Sequence, residues 1–426
     1  MKEKRRYIQT CLIALLGVIL CNCIEEIEPE SVQVQTQDFE NVLVVEASIT
    51  NEIKQQQVLL SRASSFENDT VPPFERNAEV SIVDSEATTY SFFESEPGTY
   101  VSSNPFSAEE GKTYRLEINT VNGESYTSDE MSIVGTSEIT NLYAERITND
   151  LGVEGMSIFI DNDDSTSASK YYKYEYEETY KIIAENWNQY DFKLTNYDPC
   201  ALPTITYDLE IVPREVQNRV CYNTVASNSI IQASSENLVS DKLIRFPIRF
   251  IGRDDYILTH RYSILVKQYV QSAEAYSYYD RLGKFSESGN IFSQIQPGLL
   301  NSNVHQIGNS EATTLGYFEV TSVTEKRLFF NYEDFFAGED LPTNPYNCDS
   351  FHSAPLEHVS YCYSGPSDPN PCPLSIIESI HAGIINYDGE NGSNIGTCPG
   401  PYLITPSECG DCTTLGSNIE PEFWVD

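Results

Sequence analysis

Positive charge is what this sequence lacks most. Only 26 Lys and Arg stand against 64 Asp and Glu, a formal net charge of −38. Such a balance excludes direct binding to DNA, RNA or anionic lipid headgroups, all of which would repel it. Methionine is scarce at 3 residues against 28 tyrosines, which favours strands with aromatic faces over long helical cores. There are 5 histidines in all, and neither a G-x-S-x-G elbow nor an H-E-x-x-H helix occurs, so the common signatures of serine hydrolases and zinc proteases are missing. Residues 111–113 read Gly-Lys-Thr, yet Phe106 stands where a phosphate loop needs its leading glycine. Acid pairs such as Glu175 and Glu177 could serve a hydrolase, but with 64 acids such pairs arise by chance. The expectation is a protein that is not an enzyme and holds no cofactor or metal.

Long apolar runs are missing as well. The one at the start, residues 11–20, is half of the ~20 residues a spanning helix requires. It follows the basic Lys2, Lys4, Arg5 and Arg6 and precedes Cys21-Asn-Cys23, the layout of a secretory signal. Leu20 lies three residues before Cys23, which resembles a bacterial lipobox with Asn22 in place of the usual small residue. The expectation is cleavage after residue 22 and lipidation of Cys23, each buried methylene of the acyl chains contributing ~0.8 kcal/mol to membrane attachment. Loss of residues 1–22 removes four basic groups and one acid, so the mature net charge is about −41.

Hydrophobic residues make up 40% and aromatics 12% of the chain, too much for a disordered acidic polymer. Residues 23–40 are acidic and aperiodic and read as a tether. From residue 41 the pattern alternates, with strand-like runs at 42–50, 57–61, 78–84, 89–93 and 114–118. Turns at Pro97-Gly98 and Asn122-Gly123 punctuate them. Residues 41–136 therefore read as a small β-sandwich.

A second β-rich domain is expected over 137–336. Its strands are 156–160, 170–177, 242–251, 262–269, 316–321 and 326–330. One short helix is expected at 272–287, capped by Ser272, with Ala273, Tyr276, Tyr279 and Leu282 facing inward. Residues 337–426 are rich in Pro, Gly, Asn and Cys and form a disulfide-rich irregular C-terminal extension, which needs cross-links for want of an apolar core. The fold class is thus mainly β: two sandwich-like domains, the first immunoglobulin- or transthyretin-like, one helix, and the extension.

Eight cysteines follow Cys23: Cys200, Cys221, Cys348, Cys362, Cys372, Cys398, Cys409 and Cys412. An even number in an exported chain predicts disulfides. Cys200 and Cys221 stand apart and are expected to pair with each other. Cys409-Gly-Asp-Cys412 alone lacks the second paired spacing of a zinc ribbon. Tyr172, Tyr174 and Tyr176 share one strand face by the period-two rule. They are binding candidates, as a platform for sugars or proteins, although such stripes are more often core.

Several stretches together resemble one family. They include Leu43-Val-Val-Glu-Ala47, Pro97-Gly-Thr-Tyr100, Gly111-Lys-Thr-Tyr-Arg-Leu116 and Cys221-Tyr-Asn-Thr224. Arg261-Tyr-Ser-Ile-Leu-Val-Lys-Gln-Tyr269, Ser272-Ala-Glu-Ala-Tyr276, Leu315-Gly-Tyr-Phe-Glu319, Asp411-Cys-Thr-Thr-Leu-Gly-Ser-Asn418 and Pro421-Glu-Phe-Trp424 follow in order. The chain resembles the Bacteroidetes-type outer-membrane lipoproteins of domain-of-unknown-function family forty-two forty-nine. The resemblance implies a lipid-anchored outer-membrane protein, displayed outside, that works beside a TonB-dependent receptor in nutrient uptake or envelope assembly. It also implies that Glu25 and Glu26 act as the acidic export signal of surface lipoproteins. It carries over no catalytic residue. The alternative expectations are a surface adhesin or glycan-binding module and, behind it, a hydrolase.

Overall fold

The computed structural model describes residues 41–63, 73–162, 170–201, 205–236, 238, 242–287, 300, 302–356, 375–392 and 400–426. Cys23, Glu25, Glu26, Cys362, Cys372 and Cys398 lie outside the described residues. The first seven strands are β1 (Leu43–Thr50), β2 (Gln57–Arg62), β3 (Glu79–Asp84), β4 (Thr89–Glu96), β5 (Thr99–Ser102), β6 (Tyr114–Asn119) and β7 (Ser125–Ser128). Each alternates buried and open positions, as β1 does with Leu43, Val45, Ala47 and Ile49 inward. The expected turns are in place: Gly123 N–H donates to the Thr120 carbonyl (3.0 Å) where β6 folds back into β7.

The next elements are β8 (Asn141–Thr148), β9 (Glu154–Asn162), β10 (Tyr171–Ile183), β11 (Tyr190–Asp198), β12 (Thr206–Pro213), β13 (Val220–Ala226), β14 (Ile231–Ser234), β15 (Leu243–Gly252) and β16 (Tyr262–Gln271). Helix α1 (Ala273–Glu287), β17 (Val304–Gln306) and β18 (Leu315–Phe330) follow. One 13-stranded sheet runs through both expected domains, in the order β13-β10-β16-β18-β1-β2-β5-β4-β3-β6-β7-β17, with β14 also on β10.

The two sequence runs at 316–321 and 326–330 are one 16-residue strand, β18. It holds the molecule together. Its first half pairs parallel with β1, Val45 opposite Gly316 and Ser48 opposite Glu319. Its second half pairs antiparallel with β16. Phe318 and Val320 enter the first core, while Leu328 and Phe330, on the same strand face, reach the second. Residues 304–320, read from sequence as part of the second domain, thus return to the first. The Asn303 amide closes that unit by bonding both the N–H and the C=O of Phe318 (2.8 Å each). A parallel partner for β1 requires a long crossover, which local patterning does not reveal.

In the second unit a three-stranded sheet, β15-β9-β8, lies over β10, β16 and β18 around a shared core. Ser272 caps α1 as expected, accepting from Ala275 N–H (3.1 Å). The inward face, however, is Ala275, Tyr278, Tyr279 and Leu282, and Ala273 is exposed. The reason is the Tyr278 hydroxyl, which accepts from Gly316 N–H (3.0 Å) and rotates the helix onto β18.

The extension contains β19 (Phe351–His352), α2 (Ile376–His381), β20 (Ile385–Glu390) and β21 (Tyr402–Pro406). It does not stand alone. The β11–β12 hairpin leaves the second unit and packs on it, Phe192 meeting Tyr387 and Tyr402 edge-on at 5.4 Å each. Arg214 is the hub of that contact, 7% exposed, bonded to Asp191 (2.8 Å) and Asp411 (3.2 Å). Replacing it with methionine leaves two half-buried carboxylates without their cation, a loss of about 3 kcal/mol. Faster proteolytic cleavage within residues 400–426 of Arg214→Met than of wild type, read on gels run after reduction because two disulfides tether this segment, is the expected readout; equal rates would refute the role.

Candidate functional site

The tyrosine stripe is not a surface platform. Tyr172 and Tyr174 are 1% and 0% exposed and Tyr176 is half-buried, all within the second core. Tyrosine is tolerated there because its hydroxyl finds a partner. Tyr174 donates to Gln268 Oε1 (3.0 Å), which Asn162 also supports (3.2 Å). Period two placed the three rings on one face; β8, β9 and β15 made that face the inside.

The cysteines need a second correction. Cys221 bonds Cys412 and Cys348 bonds Cys409, each with an S–S distance of 2.04 Å. Cys200 is also disulfide-bonded, but not to Cys221. The two cysteines of the C-x-x-C run therefore take separate partners. Cys221 lies on β13 against Ile182, Ala184 and Cys412, whereas Cys200 follows β11 at the far end of the hairpin. Among the described residues no group of three or more His, Cys, Asp or Glu is placed to hold a metal ion.

These cross-links bring residues 412–426 back across the edge of the main sheet. Ser417 exchanges two backbone hydrogen bonds with Tyr222 of β13 (2.8 and 2.9 Å). The Trp424 ring then lies between Tyr222 (4.8 Å) and Phe329 (5.8 Å), and Phe423 stacks under the Arg327 guanidinium (3.5 Å). At the end of this strap is a cleft of about 310 Å³, lined in part by Lys181, Ile183, His260, Arg261, Leu341 and Asp426. That volume is at the lower end for sites that hold a small molecule.

Local structure sets each wall. Asp255 caps a single helical turn, accepting from Ile257 N–H (3.2 Å), and the buried Leu258 pins the turn to the core. Thr259 Oγ1 donates to the Tyr256 carbonyl (2.7 Å). The chain then enters β16, and Lys181 N–H donates to the Arg261 carbonyl (3.0 Å), which places Lys181, His260 and Arg261 together. On the far side Asn331 and Asp334 form a capping box, and the Asn331 side chain accepts from Arg261 Nη1 (3.2 Å). Tyr332 stacks on Phe336 at 4.6 Å and donates to the Asp340 carbonyl (2.8 Å).

The electrostatics are local. Lys181 Nζ is 2.9 Å from Asp426 Oδ1, and Trp424 Nε1 donates to the same oxygen (3.1 Å). Those two bonds hold the Asp426 carboxyl below its ordinary value. Arg261 Nε donates to the Val425 carbonyl, and its guanidinium lies over Phe329 at 5.2 Å. Burial lowers the His260 pKa, and the charge of Lys181 lowers it further. The imidazole makes no hydrogen bond to a described residue. Sequence reading proposed none of Lys181, His260, Arg261 and Asp426 as site residues. Their one signal was a His-Arg pair just ahead of a strand.

A family model described as Domain of unknown function (DUF4249) matches residues 24–327. No curated protein matches the chain.

Proposed function

The chain belongs to the DUF4249 family, and from that premise we propose that it is a lipid-anchored outer-membrane protein. In this reading Cys23 carries the acyl chains, Glu25 and Glu26 direct export, and the body stands on the extracellular face. There it acts without catalysis, as an accessory that binds a TonB-dependent receptor or captures ligand for it. The observation that carries the reading is the pair of cross-links, Cys221–Cys412 and Cys348–Cys409. Disulfides of this kind persist outside the reducing cytosol, in line with the signal sequence ahead of Cys23. The acidity suits a body held at a crowded surface, because self-repulsion opposes aggregation. The glycan-binding alternative rested on the tyrosine face, which is buried.

Growth with radiolabelled palmitate tests the anchor: the wild-type chain takes the label and Cys23→Ala does not. Purification of the labelled protein in mild detergent tests the partnership, with an outer-membrane β-barrel expected to follow it. An unlabelled wild-type chain would overturn the anchor, and recovery without a barrel would overturn the partnership.

A further inference from the structure

In a chain with 64 acids and 26 bases, Lys181 and Arg261 converge on one small cleft. Both cations face oxygens of one short segment, the Asp426 carboxylate and the Val425 carbonyl. We propose that this cleft is a binding site for a small monocarboxylate, and that Asp426 is a competitor built into the chain. The proposal deepens the ligand-capturing part of the function above and is independent of the anchor and the barrel.

The contact already present shows what Lys181 accepts, which is a carboxylate oxygen at 2.9 Å. The acid side of that pair is the replaceable one: the Lys181 side chain is 20% exposed and that of Asp426 is 67% exposed. A part-exposed ion pair of this kind is worth up to about 1 kcal/mol, so an incoming carboxylate can displace Asp426, and losing that competitor is worth up to about fivefold in affinity. His260 adds a ring N–H beside the cations, with no hydrogen bond to a described residue. Thr259 and Asn331 are committed to Tyr256 and Arg261 and hold the wall in place.

Ile183 and Leu341 give the cleft an apolar side, which suits a short aliphatic body. A volume of about 310 Å³ has room for roughly ten water-sized groups, which suits a small molecule. Glu333 also lines the cleft, and the large negative charge of the whole molecule disfavours multiply charged anions such as phosphate.

The test is a calorimetric titration of the full chain in detergent with pentanoate, at constant ionic strength. Saturable binding is expected with Kd of about 1 mM or tighter. Its neutral isostere pentanamide and inorganic phosphate should each bind about tenfold more weakly. Asp426→Asn removes the competitor and is expected to tighten pentanoate binding several-fold, while Lys181→Met weakens it about tenfold. Equal binding of pentanoate and pentanamide, or phosphate binding as tight as pentanoate, would overturn the proposal. So would Asp426→Asn binding no better than wild type; that variant alters an exposed side chain and decides the matter even if Lys181→Met fails to fold. Palmitate labelling of Cys23 without pentanoate binding would defeat this inference alone.

Discussion

Substituting alanine for Gly316 is expected to cost about 3–5 kcal/mol, which lowers the thermal midpoint by roughly 5 °C in a chain of this size. Gly316 lies where β18 runs parallel to β1, opposite Val45. Its φ is +91°, and a Cβ there would meet the Val45 carbonyl oxygen at 1.9 Å and its carbon at 2.6 Å. Both atoms belong to a backbone already paired with β2 on its other side, so neither can retreat without breaking a ladder. Gly111 provides the control. Its φ is +83°, yet a Cβ there meets nothing within 4 Å, so Gly111→Ala should cost only the left-handed penalty of about 1–2 kcal/mol. Thermal unfolding of the two variants separates conformation from collision. If they melt together, the parallel seam as described is wrong.

The second large effect is expected from removing the bond between Cys221 and Cys412. The residues are 191 apart in sequence, and chain-entropy arguments place the stabilisation from closing so long a loop near 5 kcal/mol at most. The double variant Cys221→Ser/Cys412→Ser should lose about 3–5 kcal/mol. The local consequence is easier to read. The chain has 2 tryptophans, and both report on this region. Trp187 packs beside Cys221 and Cys412 and donates to Asn218 Oδ1 (2.8 Å), while Trp424 is buried against Tyr222 and Phe329. Freeing residues 412–426 exposes the second ring and loosens the first. A red-shifted tryptophan emission below the unfolding transition is the expected signature. Unchanged emission in the double variant would mean that the Ser417–Tyr222 bridge and the Arg327–Phe423 stack hold the strap without the bond.

Much of the fold was legible because strands are local. The alternation at 42–50 and 114–118, the Asn122-Gly123 turn and the Ser272 cap each need only neighbours within a few residues, and each is found where expected. The same logic failed where a face or a partner had to be chosen. Tyr172, Tyr174 and Tyr176 alternate correctly, yet nothing in residues 170–177 says which side β9 and β15 will cover. Ala273 lost its place in the helix stripe to Tyr278 because a hydrogen bond to Gly316 set the rotation. Cys200 and Cys221 are close in sequence, but the β11–β12 hairpin carries one away while β13 holds the other at the sheet edge.

The amino-acid sequence by itself determined the charge, the β character, the helix after Ser272 and the cross-linked end, because each follows from composition or from contacts between near neighbours. Only the tertiary structure decided that β18 belongs to both cores, that Cys412 meets Cys221, and that Lys181, His260, Arg261 and Asp426 share one cleft. Those outcomes depend on residues tens to hundreds of positions apart, and chain closure over such lengths follows from the packing of the whole and leaves no mark in any local pattern.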